Sequence, residues 1–214
     1  VRLSVAVMAH PRRRTAAEHL ARQLDATLVW DERDDEWHTG ARAIATYDPT
    51  ADFHLVLQDD ALPVPEFLEH ASAALEHRPG DLVSFYLGTS RPPQWQAAVD
   101  DACMRAEDAG AAWITAPVLL HGVAVAIPTA AIPTLLTWCE LSTIPYDQRI
   151  GMHWRINLRR PVYYSWPSLV DHHDTATLVD HDDRAPRSEP RRARMLGTPP
   201  RWGTTPVALE RNLP

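Results

Sequence analysis

The sequence predicts an α/β fold: one domain built on a mostly parallel sheet, with helices on both faces and an extended C-terminal segment. Three observations predict it. Short apolar runs, too β-branched for helices, alternate with longer stretches whose apolar residues recur at helical spacing. Proline, glycine and aspartate punctuate the joins between them. The chain has 214 residues, 45% hydrophobic and 23% charged, enough to bury a core without disulfide or metal staples.

Leu3 to Met8 reads as a buried strand, broken by Ala9-His10-Pro11. Arg13 to Leu24 follows as an amphipathic helix with Ala16, Ala17, Leu20 and Leu24 on one face. Thr27 to Trp30 is a second strand, ending in the acidic loop Asp31 to Glu36. A helix from His38 to Tyr47 stops at Asp48-Pro49, and Phe53 to Leu57 is the third strand, with Gln58-Asp59-Asp60 at its end. Pro63 and Pro65 introduce a helix over Glu66 to His77, and Pro79-Gly80 turns the chain into strand Leu82 to Tyr86. A helix over Trp95 to Asp108, a strand over Gly122 to Ile127 and a helix over Thr129 to Leu141 come next. Asp147 to Asn157 reads as helical and Val162 to Tyr164 as a last strand. Trp95, Trp138 and Trp154 fit helix faces and are assigned to the core. Beyond Asp171 periodicity fades. Residues 184–201 hold six Arg and four Pro against one acid, the composition of an extended tail. The expected division is therefore residues 1–175 as the folded domain and 176–214 as the C-terminal segment.

Composition excludes several chemistries. All 21 basic residues are Arg, so a Walker-type phosphate loop and Schiff-base catalysis lack their lysine. Glycine is scarce, with 8 residues, and no G-x-G-x-x-G follows the first strand, which disfavours a dinucleotide site. The net charge of −7 gives no general affinity for nucleic acid. No apolar stretch is long enough to span a membrane, and no secretory signal is expected. Cys103 and Cys139 are far apart, which suits reduced thiols and a cytoplasmic location.

Open α/β sheets bind ligands at the carboxyl ends of their strands, which places Ala9 to Arg14, Asp31 to Trp37 and Gln58 to Asp60 on one rim. Adjacent carboxylates such as Asp59 and Asp60 repel unless a cation joins them, and a divalent metal carrying a diphosphate would do so. An acidic turn ahead of the Pro63 helix is the plain alternative.

The segment Asp52 to Ala61 resembles the strand-plus-acid motif of nucleotide-sugar glycosyltransferases with the GT-A (Rossmann-like) fold, of bacteriophage or bacterial type. The motif there ends in E-D-D or D-x-D, and here Gln58 stands in the first position. The resemblance implies Asp60 as a metal ligand and Asp59 as a sugar or ribose contact. Trp37 to Ala43 resembles the helix that brings a basic residue, here Arg42, to the donor. Val7 to Arg12 is similar to the segment that frames the base, implying Ala9, His10 and Arg12 as donor contacts, and Asp31 falls where an acid meets base or ribose. Pro167-Ser168-Leu169-Val170-Asp171-His172 resembles the late segment whose His returns to the metal. That implies His172 as the second ligand, with His173 the spare. Asp147 stands at a helix start where an acid of the family acts as general base, and Trp113 to Ile127, with His121-Gly122, resembles the acceptor side.

The resemblance implies Mn²⁺ or Mg²⁺ as cofactor, a nucleotide sugar as donor (a UDP-sugar first) and an acceptor hydroxyl on a macromolecule, DNA with a hydroxymethylated base or a protein. Two other readings stay open: a metal-dependent hydrolase or nuclease on Asp59, Asp60 and the His172-His173 pair, and a non-catalytic module on the same frame. Asp60 is expected to be an exposed rim carboxylate whose removal leaves the fold intact. Asp147 is expected to be ionised, favoured by the helix N-terminus and by Arg149.

Overall fold

A computed structural model describes residues 1–174 and 190–210. The fold is α/β, with an eight-stranded mixed sheet flanked by helices and a separate two-stranded sheet at its rim. The strands are β1 (Leu3–Ala9), β2 (Thr27–Trp30), β3 (Phe53–Gln58), β4 (Ala61–Pro63), β5 (Leu82–Ser84), β6 (Trp113–Ala116), β7 (Ala124–Pro128), β8 (Val162–Ser165), β9 (Val170–His172) and β10 (Val207–Ala208). The helices are α1 (Arg14–Leu24), α2 (Glu36–Ala45), α3 (Phe67–Glu76), α4 (Gln96–Asp108), α5 (Ile132–Cys139) and α6 (Tyr146–Met152), the last running into a π-type turn, His153–Asn157.

The large sheet has the order β10-β6-β8-β5-β7-β3-β1-β2. Strands β2, β1 and β3 are parallel, as are β5 with β8 and β10 with β6. Strand β7 runs antiparallel between β3 and β5, and β6 is antiparallel to β8. Alternate side chains of each strand enter opposite layers, as the two-residue pleat requires. Ala6, Met8 and Val56 pack with α2, α4, α5 and α6, while Val7, Ala9, Leu55 and Leu57 pack with α1 and α3. Burial on both faces explains the near-continuous apolar runs of β1 and β3.

Helix α2 starts at Glu36 because Asp35 caps it, its carboxylate accepting the His38 N–H at 2.9 Å. The acidic loop thus ends one residue before Glu36, and Glu36 belongs to a helix. Trp154 is fully buried and Trp95 and Trp138 pack against the same layer. The C-terminal residues 190–210 wrap the domain. Strand β10 extends the sheet beside β6, and Trp202 packs on Trp113 at 5.1 Å between ring centroids. Apolar anchors within an Arg- and Pro-rich stretch, Trp202 and Leu209, give that segment something to bury. No helix among the described residues is long and apolar enough to cross a membrane.

Candidate functional site

The chain leaves β1 for β2 on one side and returns to place β3 on the other, so the order reverses between β1 and β3. The crevice outside the carboxyl ends of strands at such a reversal is where open α/β sheets hold ligands. Here it contains the turn Pro11–Arg13, the first residues of α1, and Asp59 and Asp60 from the end of β3. The cleft encloses about 360 Å³, and Arg12, Arg13, Arg14, Asp59, Asp60 and His173 are among its walls. Because β7 runs the other way, its start reaches the same rim, and Gln58 N–H donates to the Val123 carbonyl at 2.9 Å.

Contrary to the expectation of an exposed carboxylate, Asp60 is 3% exposed and Asp59 is 5% exposed. Burial on this scale demands partners. One Asp59 oxygen accepts the His10 backbone N–H at 2.7 Å and the other accepts Arg13 Nη1 at 3.0 Å. The same Nη1 donates to Asp60 Oδ2, so one guanidinium joins both acids. Burial pushes the Asp59 carboxyl up from its ordinary value, against the opposing pull of His10 N–H and Arg13. Asp60 Oδ1 is buried with no hydrogen-bond partner.

Strands β4 and β9 bring the late segment to this pair. Ala61 pairs with His172 across the small sheet, and His173 N–H donates to the Asp60 carbonyl at 2.9 Å. His172 Nε2 then lies 3.3 Å from Asp60 Oδ2, both side chains 4% exposed. The His172 Nδ1 is 2.7 Å from the His173 carbonyl, which can only accept, so Nδ1 carries the proton. In the neutral ring Nε2 turns a lone pair on the carboxylate, and burial holds the imidazole pKa below its usual value. Two acceptors then face each other beside the Arg13 guanidinium on Oδ2, and a divalent cation between them would join both. Two adjacent ligands of a six-coordinate Mg²⁺ or Mn²⁺, with bonds of about 2.1 Å, stand about 3 Å apart. A carbonyl that fixes the far nitrogen of the ring is the usual support for a ligating histidine. Asp60 and His172 therefore fit a divalent metal, with the unpartnered Oδ1 beside it. His173 is exposed and contributes its backbone.

A second group of potential ligands, His10, Asp31 and Asp34, has ligand atoms within 4.8 Å of one another. Its chemistry does not fit a metal. His10 Nδ1 accepts the Arg12 N–H at 3.1 Å, so the neutral ring presents N–H, not a lone pair, to Asp34 at 3.4 Å. Asp31 Oδ1 accepts the N–H groups of Arg33 and Asp35 at 3.0 and 3.4 Å. These bonds oppose the desolvation of Asp31 and leave its pKa below the ordinary value. The group clasps a loop.

The remaining residues expected on the rim divide. His10 and Arg12 lie at the cleft with Asp59. Ala9 is buried, its carbonyl accepting Asp31 N–H at 2.7 Å one strand over. Arg42 is turned to the β2 side, donating to the Trp30 carbonyl at 3.1 Å and to Glu32 at 3.0 Å. The structure gives Arg42 these partners and brings Arg13 to the acid pair.

Asp147 lies in the first turn of α6, where its own carboxylate accepts Gln148 N–H at 2.7 Å. The expected support from Arg149 is not found. Arg149 turns away, donating to the carbonyls of Ile144 and Cys139 and lying over the Trp37 ring. Burial first, and the Glu36 charge second, raise the Asp147 pKa to about 7. Glu36 is itself raised by burial and by the neighbouring Asp35 and Asp60 charges, and it accepts the Tyr146 backbone N–H. Gln58 Nε2 donates to the same Glu36 at 3.4 Å. Asp60, Glu36 and Asp147 thus share one electrostatic neighbourhood. Tyr146 is wedged between Gly40 and Gly122, where an added Cβ would come within 2.4 and 2.8 Å of its ring. The two glycines set how close α6 approaches the rim.

Behind Asp60 and His172, the Tyr86 ring touches His121 and His172, with centroids 5.1 and 5.9 Å apart. His121 Nε2 is buried without a partner, and burial lowers that imidazole to about 3. Sequence reading passed over Arg13, Glu36 and Tyr86. Arg13 and Glu36 adjoin positions singled out from the sequence, but their partners are remote in the chain. No protein-family model and no curated protein sequence matches this chain.

Proposed function

We propose that the chain is a divalent-metal-dependent glycosyltransferase, moving a sugar from a nucleotide sugar, a UDP-sugar first, to an acceptor hydroxyl. The reading rests on one observation: Asp60 and His172, 112 positions apart, are brought within 3.3 Å of each other at the end of an arginine-walled cleft. The arginines suit the two phosphates of a donor, and α1 opens toward them with its N-terminus. Asp60 and His172 would hold the metal. Such a metal supplies electrostatic stabilisation to the departing diphosphate.

Asp147 is the general base of this reading. Its carboxylate takes the proton of the acceptor hydroxyl as that oxygen bonds to the anomeric carbon. The bond from that carbon to the diphosphate oxygen breaks, and the electron pair leaves with the nucleoside diphosphate. A base with a pKa near the working pH combines an available ionised form with useful basicity. The acceptor is a hydroxyl on a macromolecule, and hydroxymethylated DNA and protein are the two substrates to compare.

The test is mass spectrometry of donor and acceptor after incubation with a panel of nucleotide sugars, Mn²⁺, and either acceptor. One donor is expected to be consumed, with its nucleoside diphosphate released. Asp60→Asn and chelation should each stop consumption. A panel left intact in every combination, or turnover indifferent to chelator, would overturn the proposal.

A further inference from the structure

We infer that Arg13 is a nucleoside-diphosphate-binding residue that holds the metal seat until the donor arrives. The inference rests on the proposed donor and metal site, and it concerns how the two are filled.

The guanidinium is the cation of the acid pair. Its Nη1 donates to Asp59 Oδ1 at 3.0 Å and also to Asp60 Oδ2. That second oxygen is the one facing His172 Nε2. A divalent ion bonded to Oδ2 and Nε2 would therefore share an oxygen with a positive guanidinium, without the separation or the water that screens such charges at a surface. The metal and Arg13 compete for Asp60. Divalent metal by itself meets an acid pair half of whose charge the guanidinium already offsets.

An anion in the cleft removes that conflict. Arg13 ends the turn Pro11–Arg13 and stands at the N-cap of α1, its side chain 16% exposed. It lines the cleft between Arg12 and Arg14. Rotation of its long side chain can exchange Asp60 for a phosphate oxygen without moving the backbone, and a planar fork suits phosphate as well as carboxylate. The diphosphate takes the guanidinium, Asp60 Oδ2 is released, and the metal enters beside His172. Donor and metal then bind with positive coupling, and by linkage each strengthens the other equally.

The predicted signature is a pair of opposite changes on removing the charge. In Arg13→Gln, Mn²⁺ alone, followed by the electron paramagnetic resonance of free Mn²⁺, should bind at least tenfold more tightly than to the wild-type protein. UDP in the presence of chelator should bind at least tenfold more weakly, as read by calorimetry. A purely structural role for Arg13 would weaken both. Arg13→Met serves as a second variant. The rise in melting temperature on adding Mn²⁺ should be larger for each variant than for wild type, a readout that survives partial destabilisation. Unchanged or weaker Mn²⁺ affinity in both variants overturns the inference. If wild type still binds Mn²⁺ with UDP in an Asp60-dependent manner, only the role of Arg13 falls. If no protein of the set binds Mn²⁺ or UDP, the donor site falls with it.

Discussion

Two carboxylates are perturbed in ways that activity and stability should both report. The folded-state pKa of Asp147 is about 7, well above an ordinary carboxylate, so the folded protein holds this proton more tightly than the unfolded chain does. The associated stabilisation is complete below about pH 4 and is lost as pH rises through about 7. Asp147→Asn imitates the protonated form. Its melting temperature should match wild type near pH 4 and exceed it by a margin that grows until about pH 7 and then levels. A margin independent of pH would contradict the assignment. In turnover the sign reverses, since the base must be ionised. Wild-type kcat should rise with pH through about 7, and Asp147→Asn should lose that limb along with roughly 10²-fold or more of the rate. Glu36→Gln keeps an acceptor for Tyr146 N–H but removes the neighbouring charge, so the limb should move to lower pH. Burial, the larger cause, stays, so the limb should not reach the ordinary carboxylate range. For Asp60, burial replaces the earlier expectation of a dispensable surface acid. Asp60→Ala strips a partner from the largely buried Arg13 guanidinium and should cost about 1–3 kcal/mol, measured by denaturant melts. Asp60→Asn retains an oxygen acceptor and should cost less.

At the scale of elements, two devices set the site, and they differ in how visible they are from sequence. The approach of α6 depends on Gly40 and Gly122. An alanine at either position would put a Cβ into the Tyr146 ring, and overpacking of this kind costs about 1–3 kcal/mol. Gly122→Ala, whose Cβ would also stand 3.6 Å from Asp147 Cβ, should lower kcat more than it lowers donor affinity. Equal losses in both would move Gly122 out of the acceptor side. The strands β1, β2 and β3 were legible because they are buried runs bounded by breakers, and each falls within a residue or two of its predicted span. Strands β4 and β9 were not, having three residues each and being held by register against one another. Periodicity cannot register over such a length. The acids and histidine they join were legible as chemistry all the same, because Asp59-Asp60 and the segment ending in His172 are unusual strings wherever they lie. Arg13 was hidden for the opposite reason. It is one arginine among three in a row, and only the fold says that its guanidinium, and not that of Arg12 or Arg14, bridges the acid pair. Glu36 was hidden by a boundary: read as loop, it carried no direction, whereas a helix begun at Asp35 aims it at Tyr146 and Gln58.

On the scale of the whole molecule, the site is closed from behind by chain that returns from the far end of the sequence. Residues 190–210 cross from the β9 side of the rim to the opposite edge of the sheet. Arg194 N–H donates to the Leu87 carbonyl at 2.9 Å, and its side chain engages Asp100 and Gln96. Ser168 N–H donates to the Met195 carbonyl at 3.0 Å, in the loop that leads into β9. The segment therefore braces the strand that delivers His172, and then anchors itself at a distance. That anchor is Trp202, which is 9% exposed, packs on Trp113, and offers its carbonyl to the Trp113 indole N–H at 2.8 Å. Loss of a buried tryptophan costs about 3–5 kcal/mol where the gap cannot close. Trp202→Ala should destabilise the protein by about that much and should act on the site through β9. Removing the anchor loosens residues 190–210, and the Ser168 and Leu87 contacts that hold the β9 approach weaken with it. Metal affinity should consequently fall in Trp202→Ala although the substitution is near the opposite edge of the sheet, while Trp202→Phe, which keeps most of the ring packing and the backbone carbonyl, should restore both. Mn²⁺ binding at a temperature well below the melting midpoint separates this from simple unfolding. If Trp202→Ala melts early but binds Mn²⁺ as wild type does when folded, the C-terminal segment stabilises the sheet without bracing the ligand strand.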